Sequence, residues 1–497
     1  MSFQIKNYSF ANKNITLSNE KEPSENSHTF TILTGKNGVG KSRLLVSLVS
    51  NHLSNSSSNL KKVIAVSNIK NDKFPIQKGK FNNYFYIGNN SNVNSYTNDR
   101  FFLFSNLISN TFLNYNSVNY TFEYLGFNSC ITLDFQKIKT TLNEKNFILK
   151  YLEIYDTYYH LFNPNGIYSN HLGKFKEAFN ICYEIRNKKI IHSKNHYNNL
   201  NRNTLGLDSI EYSLDKNEEN YESFDAKNTN YYFDPVNFFD ISEIYFIDSL
   251  FKMHAQNKKI DTEFFIKLYN LLFSSDILKN TKNICFDLSQ PSRSQEQKDL
   301  IFLLKYNIIK ITNVNLFKQT SLQKVKFFDL SSGQQSLFNI FLGISGVIED
   351  NSLICIDEPE INLHPEWQNQ FIVKLQEIFN HINNCHFIIA THSPQIVAGL
   401  TSKNGYVVDL EKNITYTAND YSKKSSDFQL AHIFGYPGHN NEYLIRVALT
   451  ILSKISKNIK LNENDQLNLS LLNQSINNLP KNDPVLLIIE QINSLMD

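Results

Sequence analysis

Residues 352–364 read SLICIDEPEINLH, from Ser352 to His364. A short apolar run, Leu353 to Ile356, leads directly into two adjacent carboxylates, Asp357 and Glu358, with Pro359 after them. An unbroken apolar run of this length, ended by a turn, is how a parallel strand buried on both faces reads. The carboxylates then stand at the carboxyl end of a core strand, where open α/β sheets bind their ligands. On its own the stretch fits equally well a core strand that ends in a solvated acidic turn, so the remainder of the chain must decide.

At 497 residues the chain is too long for one small core, and two or three lobes are expected. Apolar residues make up 41% and charged residues 19%, a globular composition rather than a disordered or coiled-coil one. Lys and Arg number 49 against 47 Asp and Glu, so the net charge of +2 announces no nucleic-acid partner, although a local basic groove could exist. Cys130, Cys182, Cys285, Cys355 and Cys385 form no C-x-x-C pair and have no His at ligand spacing. Such a set argues for reduced thiols in a cytoplasmic protein and against zinc. The start, MSFQIKNYSF, lacks the features of a signal peptide, and no long apolar run exists to span a membrane. No membrane partner and no fused transporter are expected.

Outward from the opening stretch, residues 2–10 alternate as an edge strand does, and 29–34 (TFTILT) form a more buried one. Then comes Gly35-Lys36-Asn37-Gly38-Val39-Gly40-Lys41-Ser42, followed by a helical pattern through Leu44, Leu45, Leu48 and Val49. Further strands are expected at 63–67 and 84–88. From 137 to 283 the pattern is helical, without a sustained heptad repeat, interrupted at Asn163 to Gly166 and polar from Lys194 to Asn230. Arg186, Lys188, Lys189, Lys194 and Arg202 there read as a solvated loop or as a nucleic-acid contact. Core pattern resumes at Ile284 to Leu288, passes a helical run from Asp299 to Leu304, and reaches Leu330-Ser331-Ser332-Gly333-Gln334-Gln335. After the opening stretch, Cys385 to Ala390 is another core strand, ending in Thr391-His392-Ser393-Pro394, and the tail is mostly helical. The expected fold is α/β: a head with a mixed or parallel sheet and a phosphate loop, a compact, mainly helical insertion, and a helical C-terminal segment. The expected boundaries are 1–136 for the first lobe, 137–283 for the insertion, 284–424 for the second lobe and 425–497 for a capping or partner-docking tail.

Gly35 to Ser42 satisfies every fixed position of G-x-x-x-x-G-K-[ST] in the strand–loop–helix context the motif requires. The glycines let backbone N–H groups turn inward around phosphates, Lys41 reaches the β- and γ-phosphates of ATP, and the Ser42 hydroxyl coordinates Mg²⁺. Asp357 then stands where a second Mg²⁺ ligand is wanted, and Glu358 where a base could orient the attacking water.

Four motifs in order now resemble the ABC-type ATPases. Gly35 to Ser42 resembles a Walker A motif, Leu330 to Gln335 the ABC signature, Leu353 to Glu358 Walker B, and His392 the switch histidine. The wording EPEINLHPEWQ at 358–368, with ATHSP at 390–394, is similar to the SMC-, RecF- and OLD-like (AAA_21-like) soluble ATPases rather than to transporters. The resemblance implies a dimer in which two heads sandwich two ATP molecules, Ser331 and Gly333 of one head touching the γ-phosphate held by the other. It implies Glu358, Lys41 and His392 as the catalytic set, and Ser42 and Asp357 as metal ligands. The nucleotide-contacting set would be Gly35 through Arg43 together with Ser331, Ser332, Gly333 and Gln334. Ser332 replaces the commoner Gly, the Q-loop glutamine stays unassigned between Ser67 and Tyr96, and Asn362 and His364 occupy the D-loop neighbourhood without its Asp.

Finer wording, in Val63 to Ser67 with Asp72 to Pro75, in Tyr84 to Gly88, and in Phe434 to Gly438 with Asn441 to Tyr443, resembles the ATPase subunit of Septu-type anti-phage systems, whose relatives serve as retron effectors. That implies self-association, a separate HNH nuclease partner, and a reverse transcriptase with retron DNA or other nucleic acid as further partners. The alternatives are an ATP-dependent DNA repair or tethering ATPase of the RecF/SMC type, and a self-contained OLD-type nuclease. The second needs a D-x-D pair in a C-terminal metal domain, and no D-x-D follows Pro394.

Overall fold

The computed structural model describes residues 3–19, 27–54, 59–69, 72–75, 83–88, 101–109, 114–138, 144–158, 161, 169–186, 239, 241–255, 260–274, 277 and 281–496. Contacts divide the chain into two units. The first comprises Met1–Thr132, Cys285–Pro291 and Asn313–Asp497; the second comprises Leu133–Ile284 and Ser292–Thr312.

Along the chain the strands are β1 (Asn7–Phe10), β2 (Lys13–Thr16), β3 (Thr29–Thr34), β4 (Lys62–Ser67), β5 (Tyr84–Gly88), β6 (Cys130–Lys137), β7 (Ile284–Asp287), β8 (Ile309–Phe317), β9 (Lys324–Lys326), β10 (Ser352–Asp357), β11 (His386–Ala390), β12 (Gly405–Asp409) and β13 (Ile414–Thr417). Seven of them build the sheet of the first unit, in the order β13-β12-β3-β11-β10-β4-β5. Every pairing in it is parallel except β12 with β13. The opening stretch therefore begins as the interior strand β10, flanked by β11 and β4, all six of its residues buried. Strands β6 to β9 form a separate four-stranded sheet in the order β7-β6-β8-β9.

A strand buried on both faces alternates which layer it feeds. Leu353 and Cys355 pack with Leu44, Leu45 and Leu48 of helix α1 (Lys41–Ser54), whereas Ile354 and Ile356 pack on the other face with Leu337, Ile340 and Phe341 of the helix Ser332–Ser345 and with Phe371 and Leu375 of the helix Pro365–Ile378. Two helical layers thus sandwich the sheet, and the helix after the glycine loop and the helix after LSSGQQ lie on opposite faces.

The strand expected across 2–10 is shorter and pairs elsewhere. Asn7–Phe10 makes a two-stranded hairpin with Lys13–Thr16, turned by Ala11 and Asn12 at φ 50° and 61°. Two successive residues in the left-handed region give the two-residue hairpin turn whose twist suits the strands. The C-terminal part carries helices Ser426–His432, Glu442–Ser456, Glu463–Ser475 and Pro484–Met496, which share a core of Leu444, Ala448, Ile451, Leu472, Val485 and Ile489.

The second unit contains helices Glu144–Thr157, Ser169–Arg186, Ile241–Ala255, Thr262–Tyr269 and Gln295–Lys305. Its centre is aromatic: Phe246 sits 5.6 Å from Phe175, 5.1 Å from Phe265 and 6.1 Å from Tyr269 by ring centroid. Of the basic residues considered as a nucleic-acid contact, Lys188, Lys189, Lys194 and Arg202 lie outside the described residues, as do Asn163 to Gly166 and the polar stretch from Lys194 to Asn230. Among the described residues no helix is long and apolar enough to cross a membrane.

Candidate nucleotide-binding site

Register brings the functional positions to one edge. Asp357 at the end of β10 is level with Ser67 on β4 and with Ala390 on β11, while Leu33 of β3 is level with Ala390. The loop 35–40 follows β3, Glu358 follows β10 and His392 follows β11, so all leave the sheet from its carboxyl end.

The loop itself needs its glycines. Gly35, Gly38 and Gly40 have φ of 136°, 83° and 110°, values at which a side chain is strained. At Gly35 an added Cβ would also meet Val39 Cγ1 at 3.0 Å. Lys36, Asn37 and Gly38 are exposed, and Val39 is half-buried. Lys41 is buried and folds back over the loop, its Nζ donating to the Gly35 carbonyl at 2.9 Å and the Lys36 carbonyl at 3.4 Å. Burial holds the Lys41 ammonium below its usual range, opposed by the charges of Glu358, Asp357, Glu360 and Glu411. Arg43 is exposed and donates to the Gly38 carbonyl at 3.3 Å.

Across the edge, Ser42 Oγ donates to Asp357 Oδ1 at 3.0 Å. Burial raises the Asp357 carboxyl to about 6, the Ser42 hydroxyl pulling it down and Glu358 pushing it up again. Glu358 sits in the left-handed region at φ 47°, with its N–H donating to the Ala390 carbonyl at 2.9 Å. A non-glycine residue held there is strained, and such strain concentrates at functional sites. His392 Nε2 lies 3.8 Å from Glu358 Oε1. Burial and the neighbouring Lys41 cation hold the His392 imidazole below its ordinary value, and Glu358 acts the other way.

Ser331 N-caps the helix Ser332–Ser345. Its Oγ accepts from the Gln334 N–H at 3.3 Å, and the Gln334 side chain accepts from the Ser331 N–H at 3.2 Å, a closed capping box. Ser331 and Ser332 are exposed, Gly333 is buried and Gln334 is half-buried. A Cβ on Gly333 would come within 2.7 Å of both the Asn362 carbonyl and the Trp367 ring. Asn362, itself at φ 66°, is thereby assigned a packing role against the start of this helix.

Three residues of this edge were not marked from sequence. Glu360 Oε1 accepts from the His392 N–H at 2.6 Å, while its Oε2 is buried without a hydrogen-bond partner. Together with Ser393 Oγ donating to Gln368 Oε1 at 2.6 Å, it knits the segment after β10 to the segment after β11. The joint presence of EPEINLHPEWQ and ATHSP was the available signal. Glu411, after β12, accepts from the Lys36 N–H at 2.6 Å, and no motif pointed to it. Asn68, after β4, donates from Nδ2 to Ser336 Oγ at 2.6 Å and links the sheet edge to the Ser332–Ser345 helix. It stands beside the span in which a Q-loop glutamine would fall, much of which (70–71, 76–82 and 89–96) is outside the described residues.

A mostly parallel sheet with a glycine loop leading into α1, and a hydroxyl–carboxylate pair at the carboxyl edge, is the α/β architecture of a P-loop domain. Residues 183–398 match the family model described as "AAA domain, putative AbiEii toxin, Type IV TA system". That span includes Ser331 to Gln335, Asp357, Glu358 and His392, with Gly35 to Ser42 outside its bounds. The chain is 31% identical over 119 residues to the Retron Vc95 probable ATPase of Vibrio cholerae serotype O1 biovar El Tor, covering 21% of this chain and 23% of that protein. It is 24% identical over 145 residues to the Retron Ec83 probable ATPase of Escherichia coli, covering 26% of each. The chain thus spans about a quarter of the length of these curated relatives.

Proposed function

We propose that this chain binds and hydrolyses ATP as an ABC-type head that pairs with a second copy through its nucleotides, and that it regulates a partner acting on nucleic acid in a retron- or Septu-type defence system. The observation that carries the reading is the Ser42–Asp357 hydrogen bond at the sheet edge, with Lys41 buried behind it and Glu358 beside it.

The donor set fits Mg²⁺. A serine hydroxyl and a carboxylate meet beside Glu358, where burial, with Glu358 adding to it, drives Asp357 toward holding a proton; a cation would relieve that cost. Mg²⁺ is ordinarily held by one or two carboxylates, with phosphates and water completing its shell, so Ser42 and Asp357 are sufficient from the protein. When bound, Mg²⁺ neutralises charge on the phosphates. Lys41 and the amides of 36–43 bind phosphate oxygens, Glu358 orients water and takes its proton on the carboxylate, and His392 reads the γ-phosphate position. Ser331, Ser332, Gly333 and Gln334 serve the nucleotide of the other subunit.

The naming of both relatives as retron probable ATPases supports the retron setting. Within that setting the proposed partner is an HNH nuclease, restrained or released by nucleotide state, with a reverse transcriptase or its DNA as further company. The test is the pair of variants Lys41→Ala and Glu358→Gln. Lys41→Ala should lose ATP binding, whereas Glu358→Gln should bind ATP, stall hydrolysis and accumulate as a dimer by light scattering. A Glu358→Gln protein that releases phosphate at the wild-type rate would sink the base assignment. Binding of duplex DNA that requires ATP and falls steeply with salt would favour the tethering ATPase instead.

A further inference from the structure

Three of the five cysteines, Cys182, Cys355 and Cys385, are fully buried in apolar cores. The other two meet. Cys130 opens β6 and Cys285 lies in β7, adjacent strands of the four-stranded sheet, and their sulfurs are 2.8 Å apart although 155 positions separate them in the chain. Both belong to the first unit. Next to them the strands are tied by the Leu288 N–H donating to the Ser129 carbonyl at 3.0 Å, which holds the two residues on paired backbone. Neighbouring strands supply the Cα spacing that a disulfide requires.

We propose that Cys130 and Cys285 are a reversible dithiol–disulfide pair, a modification site that oxidation closes across the two ends of the excursion the chain makes between β6 and β7. In the reducing cytoplasm where such a chain is expected, a disulfide of this kind is a transient, redox-sensing one rather than a permanent staple. The two thiols have different parts. Cys285 is exposed and meets the oxidant, whereas Cys130 is half-buried. Burial, with Cys285 and Asp287 adding to it, pushes the Cys130 thiol up to about 12, so it waits as the protonated resolving group.

With a peroxide as oxidant, the Cys285 thiolate attacks one oxygen, the O–O bond breaks and a Cys285 sulfenic acid forms with release of hydroxide. Cys130 sulfur then attacks the Cys285 sulfur, the S–O bond breaks, and the Cys130 proton leaves with the hydroxyl group as water. Overall two thiols lose two electrons and one peroxide becomes two waters. A dithiol reductant reverses the step by exchange.

The experiment uses the full-length protein, reduced and then exposed to hydrogen peroxide, digested without reductant, and read by mass spectrometry. The expected result is one intramolecular cross-linked peptide pair joining Cys130 to Cys285, lost on adding dithiothreitol. It should be absent from Cys130→Ser and from Cys285→Ser. In Cys130→Ser, Cys285 should proceed to sulfinic acid, because no resolving thiol is present. A wild-type Cys285 that reaches sulfinic acid at the same rate as in Cys130→Ser would overturn the proposal, as would a cross-link that joins Cys285 of two chains instead. A maleimide accessibility assay on folded protein gives a second reading: Cys285 should label in the reduced form and lose that labelling after peroxide.

Discussion

Asp357 and His386 lie on neighbouring strands, and burial disfavours the charged form of each, which gives stability two opposing pH dependences. Asp357 has its carboxyl raised to about 6, so its contribution is full below its ordinary value and is lost as pH rises through 6. At pH 7.5 the ionised group costs on the order of 1–3 kcal/mol. Asp357→Asn keeps an oxygen to accept from Ser42 and removes that charge. The nucleotide-free variant should therefore resist urea better than wild type at pH 7.5, while losing Mg²⁺-dependent nucleotide binding; a lower midpoint in urea would contradict the account. His386 is fully buried, its Nδ1 accepting from the Ile5 N–H at 3.2 Å and its Nε2 facing Thr31 Oγ1 at 2.9 Å. An acceptor at Nδ1 requires the neutral ring with its proton on Nε2. Burial, helped by His52, lowers its pKa to about 3. Its contribution is thus complete above 6.5 and is lost as pH falls from 6.5 toward 3. In the Asp357→Asn background, where the opposing slope is gone, unfolding free energy should fall by about 2 kcal/mol between pH 6.5 and 5. His386→Asn should flatten that slope, which denaturant titrations at several pH values would show.

At the scale of elements, Gly333 is the sharpest constraint. Alanine improves helix propensity by about 1 kcal/mol at an ordinary site. Here the new methyl would stand 2.7 Å from the Asn362 carbonyl, a backbone atom that cannot swing aside as a side chain does. Overpacking of this kind costs about 1–3 kcal/mol, so Gly333→Ala should lower the denaturation midpoint, and an unchanged midpoint would refute the contact. That contact also shows what sequence could and could not convey. TFTILT and YFYIG occupy their expected bounds at β3 and β5, because continuous apolar runs between turn signals carry their own address. GYVVD of β12 and ITYT of β13 carry no comparable signal, being short and placed beside a helical tail; β12 becomes a core strand only through pairing with the distant β3. The edge strand expected over 2–10 begins only at Asn7 and turns straight back at Ala11–Asn12 into β2, a hairpin that no glycine announces. Within the site, the glycine loop, Asp357 and Glu358 are legible because their chemistry requires those residue types at fixed spacing. Glu360, Glu411 and Asn68 are not, since each acts through a partner brought near only by the sheet order.

For the whole molecule the decisive fact is which face of the sheet each helix covers. The helix after the glycine loop packs through Leu44, Leu45 and Leu48 on one side, and the helix begun by Ser331 packs through Leu337, Ile340 and Phe341 on the other. Ser331 and Ser332 are exposed at their helix start, as the proposed pairing with a second copy requires. If two copies pair so that each loop faces the other's Ser331, catalysis must survive a particular kind of mixing. A chain carrying Lys41→Ala lacks the loop half of every site, and a chain carrying Ser331→Arg lacks the facing half, so each alone should be inactive. A mixed pair contains one site built from an intact loop and an intact Ser331, and one site with both halves damaged. With equal amounts of the two chains about half of the symmetric pairs are mixed, each with one working site of two, so about a quarter of wild-type phosphate release should return. Sites complete within one chain predict no recovery, because no chain in the mixture then holds an intact site; titrating one inactive variant into the other and measuring phosphate release distinguishes the two arrangements.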